Sequence, residues 1–192
     1  MRAEAAVPRA PVDALGPVAL VAAGGLLLML RAQAMTLGAG RVAALVTLYV
    51  ALGALSLRAS VPVARPGSIG VGLTAALGMA AVVVVVLGPR APGAPVLFGA
   101  WAAALSTLAA VAEEAFFRRF VYGWVDRWWG PAAAVLLSAA AFALVHVPLY
   151  GAAALWLDLG AGLLLSWQRW ASGSWMAPAV THVWANLLVV IR

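Results

Sequence analysis

Seven apolar stretches follow one another along this chain of 192 residues, each close to the ~20 residues that a helix needs to cross hydrocarbon. They run 17–30, 42–57, 69–87, 96–117, 132–147, 152–167 and 174–191, and the short first, second and fifth are expected to extend into their flanks. The breaks hold residues that stop helices: Val61-Pro62-Val63-Ala64-Arg65-Pro66-Gly67, Gly88-Pro89-Arg90-Ala91-Pro92-Gly93 and Trp129-Gly130-Pro131. Pro131 suits the first turn of a new helix, where its missing N–H costs nothing. The valines at 82–86 would suit a strand, but a strand in a bilayer needs a closed barrel. Neither period-two alternation nor hairpin spacing supports one. The predicted fold class is therefore all-α, a polytopic integral membrane helical bundle of about seven transmembrane helices.

Composition removes the alternatives. A mean hydropathy of +1.04 leaves too little polar surface to coat a water-soluble globule. The net charge of +6 comes from arginine alone, and the arginines lie mostly at the edges of apolar segments rather than in a basic stripe, so nucleic acid is excluded as a partner. Without cysteine there is no disulfide, no thiolate nucleophile and no Cys-ligated metal. With seven spans, Arg2, Arg9, Arg58, Arg65, Arg118, Arg119, Arg127 and Arg169 fall on one side, against Arg31, Arg41, Arg90 and Arg192 on the other. The positive-inside rule then puts the N-terminus, and the end of the helix carrying Glu113 and Glu114, in the cytoplasm. The expected location is a bacterial inner membrane. Arg2, Arg9 and the later Ala32-Gln33-Ala34 resemble a cleaved signal peptide, but Arg31 just before that site argues for retention. Trp124, Trp128 and Trp129, and Trp167, Trp170 and Trp175, read as interfacial belts.

Against this background Glu113 and Glu114 stand out, because a carboxylate in a bilayer segment costs several kcal/mol unless paired or hydrated, about 2.5–3.5 on insertion scales. At 100° per residue Glu114 and Arg118 lie ~40° apart around a helix, and Glu113 lies ~140° from Arg118. Glu114 is thus the i,i+4 partner of Arg118, and Glu113 is left to point elsewhere. The only histidines, His146 and His182, also occupy apolar stretches, with Phe142 one turn before the first and Asn186 one turn after the second. A Glu and a His on facing helices can deprotonate a water. A His and an Asn on one face can stabilise an oxyanion. Those are the parts that amide hydrolysis requires, whereas a Gly-x-Ser-x-Gly elbow is absent.

Glu113-Glu114-x-x-x-Arg118, Phe142-x-x-x-His146 and His182-x-x-x-Asn186 resemble the three signature motifs of the CAAX-protease and bacteriocin-processing (CPBP, or Abi) family. Gly160-Ala161-Gly162 and Ser172-Gly173-Ser174-Trp175-Met176-Ala177-Pro178 are similar to its Gly-rich helix and to the approach to its last motif. The resemblance covers roughly 96–191, so the chain divides into 1–95 without a motif and a catalytic core at 96–192, within one structural domain. It implies an intramembrane endopeptidase in which Glu113 and His146 activate water and His182 and Asn186 form the oxyanion hole. Glu114, Arg118 and Phe142 would support them. The implied substrate is a membrane-associated peptide or protein: a C-terminal sorting tail, a leader peptide or a CAAX-like tail, the first two suiting a small chain better. A metal-free, glutamic mechanism is expected over a zinc-dependent one, since His-Glu-x-x-His is absent. The rival from another class is a non-catalytic immunity or scaffold protein of the membrane, in which the same residues serve as polar glue. Oligomeric state is not legible.

Overall fold

A computed structural model describes residues 15–86 and 100–191. Arg2, Arg9, Arg90, Arg192, the break at 88–93 and the start of the fourth apolar stretch lie outside the described residues. The elements are α1 (Leu15–Ala34), α2 (Arg41–Arg58), α3 (Val71–Val86), α4 (Ala100–Glu114), a π-helical segment (Ala115–Val121), α5 (Tyr122–Tyr150), α6 (Leu155–Ser172) and α7 (Met176–Ile191). Among the described residues there is no strand.

Gly16–Ala34 and Gly38–Arg58 are long and apolar enough to span a bilayer, as is the continuous stretch Trp101–Tyr150. That last stretch has 50 residues and would reach about 75 Å if straight, far beyond a ~30 Å hydrocarbon core. Gly130 resolves the excess. Its φ of 82° and ψ of 175° break the helix, a conformation that glycine adopts without penalty, and Pro131 opens the second leg as its position predicted. The other apolar helices, Val71–Val86 and Met176–Ile191, are shorter. The protein is an all-α membrane bundle, and each apolar stretch read from the sequence corresponds to a helical leg.

α5 packs most extensively on α6, and α7 on both α3 and α4, while α2 covers α4 and the π segment and α1 lies on α2 and α5. α4 and the π segment are thus enclosed by the others. The core around them gathers Leu28, Leu52, Phe116, Phe117, Phe120 and Phe142. Large apolar side chains such as Val84, Leu136, Leu144 and Trp156 point outward, whereas Glu113, Glu114 and Arg118 are buried. Lipid as solvent accounts for both halves of that inversion.

Two residues depart from their predicted settings. Arg31 was expected at a segment edge, setting topology, but it is only 3% exposed, in the last turn of α1. Trp124 was expected in an interfacial belt; it is buried and donates its indole N–H to the Ser60 carbonyl at 3.2 Å. Trp128, Trp129 and Trp170 are exposed, as a belt requires.

Candidate active site

The Glu pair closes α4, and the π segment begins at the next residue. A π turn leaves backbone carbonyls displaced from the α ladder, and such turns gather at functional sites. Here two side chains meet them: Ser138 of α5 donates to the Phe117 carbonyl at 3.1 Å, and Arg169 Nε of α6 donates to the Arg118 carbonyl at 2.9 Å. The widened turn is thereby tied to both neighbouring helices. Glu114 still reaches its i,i+4 partner, with Arg118 Nη1 at 2.9 Å from Oε1.

Arg118 is fully buried, and both of its terminal nitrogens are paired. Its Nη2 donates to the Gly162 carbonyl at 3.1 Å, and its guanidinium lies 4.5 Å from the Phe142 ring centroid. Gly162 permits this close packing of α6 on α5, since a Cβ there would fall 2.9 Å from the Ala139 carbonyl oxygen. Phe142 is a hub: its ring also stands 4.4 Å from that of His146 and 5.6 Å from that of His182.

Glu113 and Glu114 lead separate lives. Glu114 Oε1 also meets His182 Nδ1 at 2.8 Å. Glu113 turns to the other side of the helix, where Oε1 pairs with Arg31 Nη1 and Oε2 lies 3.7 Å from His146 Nε2. Arg31 Nη2 donates to the Val145 carbonyl at 3.1 Å, next to His146 in sequence. One arginine thus binds the Glu113 carboxylate and the backbone one residue before His146. His146 Nδ1 lies 2.7 Å from the Phe142 carbonyl. A carbonyl only accepts, so Nδ1 carries the proton, and in neutral imidazole Nε2 is then the bare nitrogen facing the carboxylate. Asn186 donates one carboxamide N–H to the Ser106 carbonyl at 3.0 Å.

The structure therefore brings Glu113 to His146, and Glu114 to Arg118 and His182. It does not join His182 to Asn186 directly; each has its own partner. Arg31, Ser138 and Arg169 were missed as site residues. Only Ser138 lies within an apolar stretch, where a polar side chain needs a reason. As for zinc, its possible donors form two separate acid–imidazole pairs. Among the described residues no group of three or more His, Asp or Glu is placed to hold one ion. No step below uses a metal.

Buried carboxylates, imidazoles and arginines inside a lipid-facing helical bundle define a membrane protein with a polar cluster in its interior. Residues 95–188 match the family model described as type II CAAX prenyl endopeptidase Rce1-like. The chain carries that domain over residues 95–188, consistent with the family its motifs resemble. The family is made of proteases, so the activity class is a membrane peptidase. No curated protein and no solved structure matches the chain.

Proposed function

We propose that the protein is an intramembrane endopeptidase of the glutamic type, with Glu113 and His146 as its water-activating pair. The observation that carries this reading is the 3.7 Å separation of Glu113 Oε2 from His146 Nε2. Both atoms are acceptors when the acid is ionised and the imidazole neutral, and 3.7 Å is too long for a direct hydrogen bond. A water donating one hydrogen to each satisfies both. Its lone pairs then face away from the dyad, toward an incoming carbonyl carbon. As the water attacks, its proton passes to the dyad, and the same proton returns to the leaving amine when the C–N bond breaks.

The tetrahedral oxyanion would be met by His182 and Asn186. Asn186 uses one N–H on Ser106, which leaves the second free to donate. His182 carries a proton on Nε2 for an oxyanion only as the imidazolium, beside the Glu114 carboxylate at Nδ1. Glu114 and Arg118 support by fixing His182 and the Phe142 hub. Arg31 is a positioning residue that turns the Glu113 carboxyl so that Oε2 faces His146.

For the substrate, the lengths of the elements give direction. Arg31 and His146 lie within the last turns of α1 and α5, and the contact of Arg31 with Val145 puts both at one end of the bundle. A cytoplasmic N-terminus would make that end extracytoplasmic. A C-terminal sorting tail or a leader peptide emerging there fits better than a CAAX-like tail, which remains cytoplasmic.

The test uses purified protein in liposomes with three fluorogenic peptides: a sorting-tail mimic, a double-Gly leader mimic and a prenylated CAAX mimic. Wild type is expected to cleave one of the first two, Glu113→Gln and His146→Ala to be inert though folded, and a metal chelator to leave the rate unchanged. Cleavage that persists in Glu113→Gln would rule out the glutamic mechanism. A rate lost on chelation and restored by zinc would establish the metal form.

A further inference from the structure

The second feature of the bundle lies at its other end. The segment 59–70, the π segment and the start of α7 enclose a cavity of about 300 Å³. Its walls include Val63, Ala64, Arg119, Arg169, Ser174 and Trp175, and no acidic side chain. Arg169 is only 7% exposed. Its Nε is committed to the Arg118 carbonyl, and its guanidinium lies 5.1 Å from the Tyr122 ring centroid. Arg119 Nη1 donates to the carbonyls of Ser56 and Ala59. Backbone carbonyls satisfy hydrogen bonds but carry no net charge.

Among the described residues neither half-buried Arg119 nor buried Arg169 has a carboxylate within 4 Å, unlike buried Arg31 and Arg118. Arg169 also lines a second cavity of about 110 Å³ with Asp126, whose carboxylate offsets its charge only in part because it is paired with Arg65 at 3.3 Å. A charge buried without compensation is costly. An anion in the larger cavity would remove the cost. The local backbone favours the same ligand, because Ser174 and Trp175 immediately precede α7, whose 16 residues direct a positive helix end toward this region.

We propose that this cavity binds a phosphate group, with Arg119 and Arg169 as its donors, and that the phosphate is carried by the headgroup of an anionic membrane lipid. The setting supplies the argument for a lipid. Val63 on the wall is 97% exposed, and Trp175 lines the cavity while Trp170 stands exposed close by in sequence. Tryptophan favours the headgroup level, and basic pockets between helices bind lipid phosphates there. The ligand would offset two charges in the very turn that carries Arg118, tying lipid binding to the stability of the bundle.

The test measures the unfolding temperature of delipidated full-length protein in uncharged detergent. Phosphatidylglycerol, a diacylglycerol with the same chains and inorganic phosphate are added in turn. Phosphatidylglycerol is expected to raise the unfolding temperature, and diacylglycerol to leave it unchanged. The concentration of phosphatidylglycerol at half effect should rise at least about tenfold in Arg119→Gln, the loss of one charge-assisted contact. Ala64→Glu supplies a carboxylate on an exposed part of the wall and avoids disturbing either arginine. It should abolish the effect while leaving the lipid-free unfolding temperature near wild type. Stabilisation by inorganic phosphate alone, lost in both variants, would keep the phosphate site and overturn the lipid as its source. No response to either phosphate, or equal responses in wild type and variants, would overturn the proposal.

Discussion

Glu113 and Glu114 share a side chain and a helix turn, yet their partners divide their work. Glu114 is locked between Arg118 and His182, and Glu113 between Arg31 and His146. Glu113→Gln keeps the shape and a hydrogen bond to Arg31 but removes the acceptor that takes the proton. It is expected to lower kcat at least about a hundredfold, as loss of a general base does, a loss beyond what the cost of leaving buried Arg31 without its carboxylate explains. Glu114→Gln instead strips the charge from a fully buried ion pair, at a cost of about 3–5 kcal/mol. Its loss of activity should track a lowered unfolding temperature in detergent. Wild-type kcat in Glu113→Gln, or a loss of activity in Glu114→Gln at an unchanged unfolding temperature, would contradict this division. Arg31 adds a third expectation. Arg31→Lys retains the charge but cannot span Glu113 and Val145 with a planar fork, so kcat should fall more than KM changes. Arg31→Met should fail to fold stably. Helical spacing made the Glu114–Arg118 pair legible, and the motifs marked His146, His182 and Asn186. Arg31 was not legible, because it is 82 residues from Glu113 and an arginine near the end of an apolar stretch looks the same whether it faces water or a carboxylate.

The element that organises these residues is the π segment, and its consequences are those of displaced carbonyls. Ser138→Ala leaves the Phe117 carbonyl without its donor in a dry interior. The expected cost is about 1–3 kcal/mol, read as a lowered unfolding temperature, with part of the activity lost because Arg118 sits on the same turn. A variant as stable as wild type would mean that the π carbonyl needs no partner. Gly162→Leu tests the opposite wall. Even a Cβ would press on Ala139 at 2.9 Å, so the larger side chain should force α6 from α5 and destabilise by about 1–3 kcal/mol. The helices themselves were readable, since length, apolarity and Pro/Gly breaks are the constraints a bilayer imposes. Gly130 and Pro131 marked the turn between two legs correctly. The π segment was not readable: in a membrane helix nearly every position is apolar, so a shift of register leaves no trace in the hydrophobic pattern. It is visible only through Ser138 and Arg169, which lie on other helices.

At the scale of the whole molecule, charge has two uses that the sequence mixes together. Arg31, Arg118 and Arg169 are buried and belong to packing, so only exposed arginines report orientation. Arg58, Arg65 and Arg127 are exposed and lie at the end where α2 finishes and α5 begins. Arg41 stands at the opposite end and is half-buried. Removing the buried arginines from the count therefore keeps the bias and supports a cytoplasmic N-terminus. On that orientation the proposed Glu113–His146 dyad would face the extracytoplasmic half, where a sorting tail or leader would arrive. The absence of cysteine makes this directly measurable. Ser60→Cys and Tyr150→Cys each place a single thiol at an exposed position, at opposite ends of the bundle. In intact cells a membrane-impermeant maleimide is expected to label Tyr150→Cys and to reach Ser60→Cys only after the membrane is opened. The reverse pattern would turn the dyad toward the cytoplasm. It would also transfer the substrate preference to the prenylated CAAX peptide, whose cleavage in the liposome assay must then exceed that of the other two.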